Sequence, residues 1–106
     1  MSNISELIQH GETETTEFKE SWRDEWLKTL AAFANTRGGT LLVGIKDNKQ
    51  LIGWQGDSDQ ITSKIVNHLR IAPKFLSVEQ VKRLKDGKPF SPKKTVFRIN
   101  CCFQSR

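Results

Sequence analysis

The sequence has no tyrosine and only two cysteines and three prolines among its 106 residues. The cysteines, Cys101 and Cys102, are adjacent, so in a strand their side chains would point to opposite faces and could not readily share a metal ion. This spacing argues against a disulfide framework and a cysteine zinc site. We therefore expect both to be reduced thiols in a cytoplasmic protein.

Long apolar runs are also missing. No stretch is long enough to span a bilayer, and residues 1–10 lack the basic and apolar regions of a secretion signal, so we expect no membrane partner. The length of 106 residues fits a single domain covering residues 1–106. Because the chain stops directly after its last predicted strand, this single domain is also compatible with excision from a longer protein.

Positive charge is concentrated in the second half of the chain. Residues 1–53 carry six Lys/Arg against eight acids, whereas residues 54–106 carry eleven against four, giving a net charge of +5. The densest basic cluster comprises Lys82, Arg83, Lys85, Lys88, Lys93 and Lys94. Such a cluster attracts polyanions by releasing their counterions. The alternative is a solvated loop whose lysines keep the protein soluble, and charge alone does not separate the two.

The apolar pattern predicts an α+β fold. Five segments have the alternating or continuously apolar pattern of strands: 15–19, 40–45, 50–54, 75–84 and 95–103. One helix is expected to open at a capping box formed by Ser21 and Asp24, and a second at Asp57 or Ser58. The resulting order β-α-β-β-α-β-β predicts a single mixed β-sheet with two packed helices.

Three motifs follow one another in the first half of the chain. They are E-x-x-x-x-E-F-K at residues 12–19, A-F-A-N-T-R-G-G at 32–39 and L-V-G-I-K-D at 42–47, the last followed by Ile52-Gly53. In spacing and residue type they resemble the AlbA_2 domain of Schlafen proteins. The resemblance implies an AlbA_2-like fold and a nucleic-acid-binding role, since many bacterial members are described as DNA-binding domains or transcriptional regulators.

The same resemblance implies a second activity. In Schlafen-type endoribonucleases, two glutamates and an aspartate act on structured RNA such as tRNA with a divalent metal. The matching positions are Glu12, Glu17 and Asp47, which become candidate catalytic and metal-ligating residues for Mg²⁺ or Mn²⁺. Glu12 and Glu17 lie an odd number of residues apart, so a bend at residues 11–13 is needed to bring them together. Lys19 shares the parity of Glu17 and is a candidate phosphate contact.

Simpler interpretations of these residues stay open. Glu17 could pair with Lys19 on an exposed strand, and Asp47 suits a hairpin turn. The three tryptophans are interpreted as structural, and no platform for stacking bases is evident. Schlafen nucleases clamp RNA between two such lobes, so one lobe is compatible with a homodimer or with an interaction domain of a larger regulator. We therefore predict a nucleic-acid-binding domain, with a metal-dependent endoribonuclease as the alternative.

Overall fold

The computed structural model describes residues 4–81 and 94–103. Its helices are α1 (Ile4–His10), α2 (Trp26–Asn35) and α3 (Ser58–Leu69), with a short 3₁₀ turn at Pro73–Phe75. Its strands are β1 (Thr16–Lys19), β2 (Gly39–Val43), β3 (Leu76–Val81) and β4 (Val96–Cys101). Within these residues, no helix combines the length and apolarity needed to cross a membrane.

The four strands form one mixed sheet in the order β1-β2-β4-β3. β1 pairs with β2 in parallel, and β4 runs antiparallel to both of its neighbours. The prediction of an α+β fold with a single mixed sheet is confirmed. The last strand in sequence occupies a central position, because β4 inserts between β2 and β3.

Helices α2 and α3 cover one face of the sheet. Leu30 of α2 and Ile65 of α3 are fully buried against Leu41, Phe97 and Ile99 of the central strands. The three tryptophans, Trp22, Trp26 and Trp54, are half-buried around the same apolar core. These two helices are the two that the apolar spacing predicts.

Helix α1 covers the opposite face of the sheet. Ile4 is buried there with Phe18, Leu42 and Val96, and the half-buried Leu7 and Ile8 pack on the same cluster. Apolar residues at positions 4, 7 and 8 have the spacing of one helical face. With helices on both faces, β2 buries consecutive residues, which explains its nearly continuous apolar sequence.

Two local predictions are corrected. Residues 50–54 form isolated bridges, Ile45↔Leu51 and Trp54↔Thr95, instead of a strand. The cause is Gly44, whose φ is +105° and whose carbonyl accepts hydrogen bonds from both Ile52 and Gly53. This double contact twists the hairpin out of regular pairing.

Helix α2 also begins later than the capping-box pattern predicts. Its N-cap is Glu25, which makes no side-chain capping hydrogen bond, and not Ser21. The carboxylate of Asp24 instead accepts hydrogen bonds from the Trp22 indole and from Lys64 of α3. Because that carboxylate is engaged elsewhere, the reciprocal bonds of a capping box do not form.

Candidate nucleic-acid site

Glu17 and Lys19 lie on the face of the sheet that α2 covers. In the parallel pairing of β1 with β2, Glu17 is level with Leu41 and Lys19 with Val43, and both partners are buried in the core beneath α2 and α3. Since β1 is an edge strand, these two charged side chains stand at the rim of that core. Both are partly exposed, with 35% of the Glu17 side chain and 25% of the Lys19 side chain accessible.

Glu12 is brought alongside β1 by a tight turn. Gly11 adopts a φ of +83°, and the chain then reverses so that Thr13 pairs with Thr16 in an antiparallel bridge. Continuing this pairing by one residue sets Glu12 beside Glu17. The bend required by the odd spacing of the two glutamates is therefore present at the expected residues.

Asp47 approaches the same edge from a separate turn. The carbonyl of Lys19 accepts hydrogen bonds from the backbone N–H groups of Gly44 (2.7 Å) and Ile45 (3.1 Å), which attaches the end of β1 to the start of this hairpin. A turn closed by the Lys49 N–H and the Lys46 carbonyl, 2.9 Å apart, carries Asp47 at its exposed tip. The opposite side of the turn is held by Lys49 Nζ, which donates to the Gln9 carbonyl at 2.7 Å.

The three carboxylates are close enough to interact. The pKa of Glu12 is raised above its ordinary value of 4.5 by partial burial of the carboxyl group, then by a hydrogen bond with Asp47 and the negative charges of Glu17 and Asp47. The backbone N–H of Phe18 acts in the opposite direction by stabilising the carboxylate. Glu12 as a whole residue is exposed, so solvent screens these interactions.

Lys19 is held between an acid and an aromatic ring. Its Nζ lies 3.4 Å from a Glu17 carboxylate oxygen and 4.1 Å from the centre of the Trp26 ring. The indole N–H of Trp26 donates to the Ser21 carbonyl at 2.9 Å, which fixes the ring under the lysine. The arrangement holds the ammonium group between the Glu17 carboxylate and the Trp26 ring, so its charge is already partly neutralised.

The sequence did not indicate this role of Trp26. Its seven-residue separation from Lys19 says nothing about whether α2 crosses β1 at the right place for ring and ammonium to meet. The only available signal was that Glu17 and Lys19, two residues apart in a strand, point to the same face of the sheet. That face is one that a helix was expected to cover.

The carboxylate chemistry suits a divalent ion only in part. Mg²⁺ is commonly bound by one or two carboxylates together with substrate phosphates, and Glu12 and Asp47 form such a pair. Among residues 4–81 and 94–103, however, no group of three or more His, Cys, Asp or Glu side chains is arranged to hold a metal ion. Glu17, the third predicted ligand, is ion-paired with Lys19 instead.

The predicted basic cluster falls almost entirely outside the described residues. Lys94 is described and is exposed beside Gly53. The remaining members lie outside the described ranges: Lys82, Arg83, Lys85, Lys88 and Lys93. The contiguity of this cluster on the folded surface stays a prediction.

The described residues are electrically balanced, with eleven Lys/Arg and eleven Asp/Glu. Several of these cations are neutralised locally. Besides Lys19, ion pairs join Arg23 to Glu25, Arg37 to Glu14, Lys64 to Asp24 and Arg98 to Glu79. The net positive charge of the chain therefore comes from residues 82–93 and Arg106.

An open cleft of about 450 Å³ adjoins the acidic edge. Glu17 of β1, Phe33 of α2 and Thr36, the C-cap residue of α2, line it, and the Arg37–Glu14 ion pair stands at its margin. The cleft gives a bound molecule access to Glu17 from the side of α2.

Comparison with known proteins identifies one family. The family model described as Schlafen, AlbA_2 matches residues 12–101, from the first predicted carboxylate to the end of β4. No curated protein matches the chain.

Proposed function

The chain belongs to the Schlafen AlbA_2 family, and we propose that it is a nucleic-acid-binding domain that holds the phosphate backbone through its basic cluster. The observation that carries the proposal is the distribution of charge along the chain: residues 54–106 carry eleven Lys/Arg against four acids, and six of these cations fall between residues 82 and 94. Phosphate contacts carry little sequence information, so we expect weak discrimination among sequences.

Locally paired cations add little to this binding. A lysine or arginine that already faces a carboxylate releases fewer counterions when it meets a phosphate, because its charge is partly neutralised beforehand. Of the described cations, five are ion-paired. Affinity should therefore depend on the cluster around residues 82–94 far more than on an equal number of cations elsewhere.

The test compares two variants of equal net charge. In the cluster variant, glutamine replaces five residues of the basic cluster: Lys82, Arg83, Lys85, Lys93 and Lys94. In the control variant, glutamine replaces five other cations: Arg23, Lys28, Arg37, Arg70 and Lys74. Binding of tRNA, single-stranded DNA and double-stranded DNA is measured in EDTA over a range of salt concentrations.

The cluster variant should lose binding, and the dependence of log affinity on log salt should flatten by about 0.9 for each duplex phosphate contact removed. The control variant should retain most of the affinity. Equal losses in the two variants would show that net charge, and not the cluster, determines binding. Unchanged binding by the cluster variant would rule the proposal out.

A metal-dependent endoribonuclease acting on structured RNA is the second candidate. The observation in its favour is that partial burial, a hydrogen bond with Asp47 and repulsion from Glu17 and Asp47 together raise the pKa of Glu12, and a cation bound there would relieve the repulsion. Glu12 and Asp47 would hold Mg²⁺ or Mn²⁺, and such an ion would neutralise charge on a phosphate and lower the pKa of a bound water. We expect Lys19 to contact the same phosphate.

Cleavage of labelled tRNA in Mn²⁺ or Mg²⁺ tests this candidate. Glu12→Ala and Asp47→Ala should each abolish cleavage, because they remove the carboxylates that would hold the metal, whereas Glu20→Ala, which removes an exposed carboxylate of the same segment, should not. If tRNA stays intact after incubation with the purified protein and either metal, the endoribonuclease is ruled out and nucleic-acid binding is the only proposed function that is left. A homodimer, which would supply a second lobe, stays a prediction that sedimentation equilibrium can check.

A further inference from the structure

A groove lined by two indole rings lies on the same side of the sheet as Lys19. It encloses about 230 Å³ between the segment before α2 and the start of α3. Trp22 and Trp54 supply aromatic walls, Gln55 and Gln60 supply side-chain amides, and Lys64 stands at the margin. We refer to this feature as the tryptophan groove.

Asp24 fixes one side of the tryptophan groove. Its carboxylate accepts a hydrogen bond from the Trp22 indole N–H at 3.0 Å and from Lys64 Nζ at 3.1 Å. These contacts tie the segment before α2 to helix α3 across forty residues of sequence. The Trp22 ring and the Lys64 ammonium are thereby oriented before any ligand arrives.

The loop after Trp54 fixes the other side. The Trp54 ring packs edge-on against Phe97, with centroids 5.4 Å apart, and its backbone exchanges hydrogen bonds with Thr95. Gly56 lies directly on the ring, so that an added Cβ would sit 2.0 Å from a ring carbon. Only glycine lets the loop approach the indole this closely.

We propose that the tryptophan groove binds one unpaired base of a single-stranded nucleic acid. Indole faces stack on any base, while glutamine amides can both donate to and accept from base edges. The groove is smaller than the roughly 300–1,000 Å³ of drug-sized ligand pockets, which suits a single base. Lys64 at its margin is already ion-paired with Asp24, and Asp57 also lines the groove, so we expect stacking and amide contacts, and not charge, to select the ligand.

The position of the groove supports a strand that also reaches the acidic edge. Trp22 follows Lys19 by three residues, so their Cα atoms are at most about 11 Å apart. Lys19 and Trp22 are further connected through Trp26, whose ring contacts the lysine and whose indole N–H bonds the carbonyl of Ser21. The inference rests on the proposed nucleic-acid binding and adds to it a preference for unpaired bases.

The test uses two ligands with identical phosphates: oligo(dT) and an abasic oligonucleotide of the same length. The full chain and its variants Trp22→Ala, Trp22→Phe and Gln60→Ala are titrated in EDTA with each ligand. Asn67→Ala is the matched control, because it alters an exposed polar residue of the same helix away from the groove. Thermal melting reports whether the Trp22→Ala variant folds. If it does not fold, binding by the Gln60→Ala variant tests the inference in its place.

The full chain should bind oligo(dT) about five- to 150-fold more tightly than the abasic strand, which corresponds to about 1–3 kcal/mol for one stacked base. Trp22→Ala should remove most of that preference, Trp22→Phe should keep much of it, Gln60→Ala should reduce it, and Asn67→Ala should leave it intact. Equal affinity of the full chain for both strands would overturn the inference while sparing phosphate binding. Survival of the preference in both Trp22→Ala and Gln60→Ala would overturn it as well. Failure of the full chain to bind either strand would overturn the proposed function too.

Discussion

Gly44→Ala should destabilise the protein substantially, because Gly44 forms the junction between β2 and the turn that carries Asp47. Its backbone N–H donates to Lys19 and its carbonyl accepts from two amides of the returning chain. Its φ of +105° is one that L residues rarely adopt. An added Cβ would lie 3.0 Å from Gly53 Cα and 3.2 Å from the Thr95 carbonyl oxygen.

Two contributions set the magnitude. Holding a non-glycine residue at this φ costs about 1–3 kcal/mol. Forcing backbone atoms apart around the new methyl group costs about another 1–3 kcal/mol, as overpacking generally does. Together they predict a loss of about 2–6 kcal/mol in the free energy of unfolding, and a melting temperature lower by at least about 8 °C.

Gly11→Ala is the matched control. Gly11 also has a positive φ, +83°, but its added Cβ would meet only the flexible end of Lys49, at 3.4 Å. Both substitutions restrict the unfolded chain to the same extent, so that effect cancels between them. The difference between the two variants therefore isolates the contact with Gly53 and Thr95, about 1–3 kcal/mol.

Urea denaturation at pH 7, followed by tryptophan fluorescence, measures both free energies. Gly44→Ala should have the lower midpoint of the two. If it proves as stable as Gly11→Ala, the close approach of Gly44 to Gly53 does not constrain the hairpin, and the explanation given for its irregular pairing fails.

Three further predictions concern individual side chains and one contact between two of them. Glu12→Gln should raise stability at pH 7 and have no effect below about pH 4. A carboxyl group whose pKa is raised in the folded state stabilises the fold below its unfolded pKa of 4.5, and this contribution is lost as pH rises through the folded pKa. Urea denaturation of both proteins at pH 4 and pH 7 measures the difference in the free energy of unfolding. A variant less stable than the original chain at pH 7 would contradict the prediction. Leu30→Ala, which empties a fully buried position, should cost about 2–5 kcal/mol with an unchanged denaturant slope; a cost under about 1 kcal/mol would mean that the core relaxes around the gap. A double-mutant cycle of Lys19→Met and Trp26→Leu should give a coupling free energy of about 0.5–1 kcal/mol, and additive effects would deny the contact between ammonium and ring.

The fold class and its two larger helices were predictable because their signals are local. Leu41, Leu42 and Val43 form a run without polar interruption, which indicated a strand covered on both faces, and all three are fully buried. Helix α1 escaped prediction because seven residues offer only one turn of apolar repetition. The placement of β4 between β2 and β3 depends on pairings between distant residues, which no local pattern encodes.

In the candidate site, too, local features could be predicted from the sequence and long-range contacts could not. The parity of Glu12 and Glu17 demanded a bend, and Gly11 with the Thr13–Thr16 bridge provides one. The pairing of Asp24 with Lys64 could not be foreseen, since it joins positions forty residues apart through the packing of α2 on α3. The effect of Asp47 on Glu12 likewise depends on a hairpin whose twist is set by Gly44.

The central position of β4 has a consequence for biosynthesis. A ribosome delivers the chain from its N-terminus, so β1, β2 and β3 all emerge before the strand that joins β2 to β3. Until residues 96–101 are released, β2 and β3 have no shared partner and the apolar surface of β2 is only partly covered. The basic residues at 82–94 therefore leave the exit tunnel while the domain is still incomplete, and the sheet is completed only when β4 pairs with both β2 and β3.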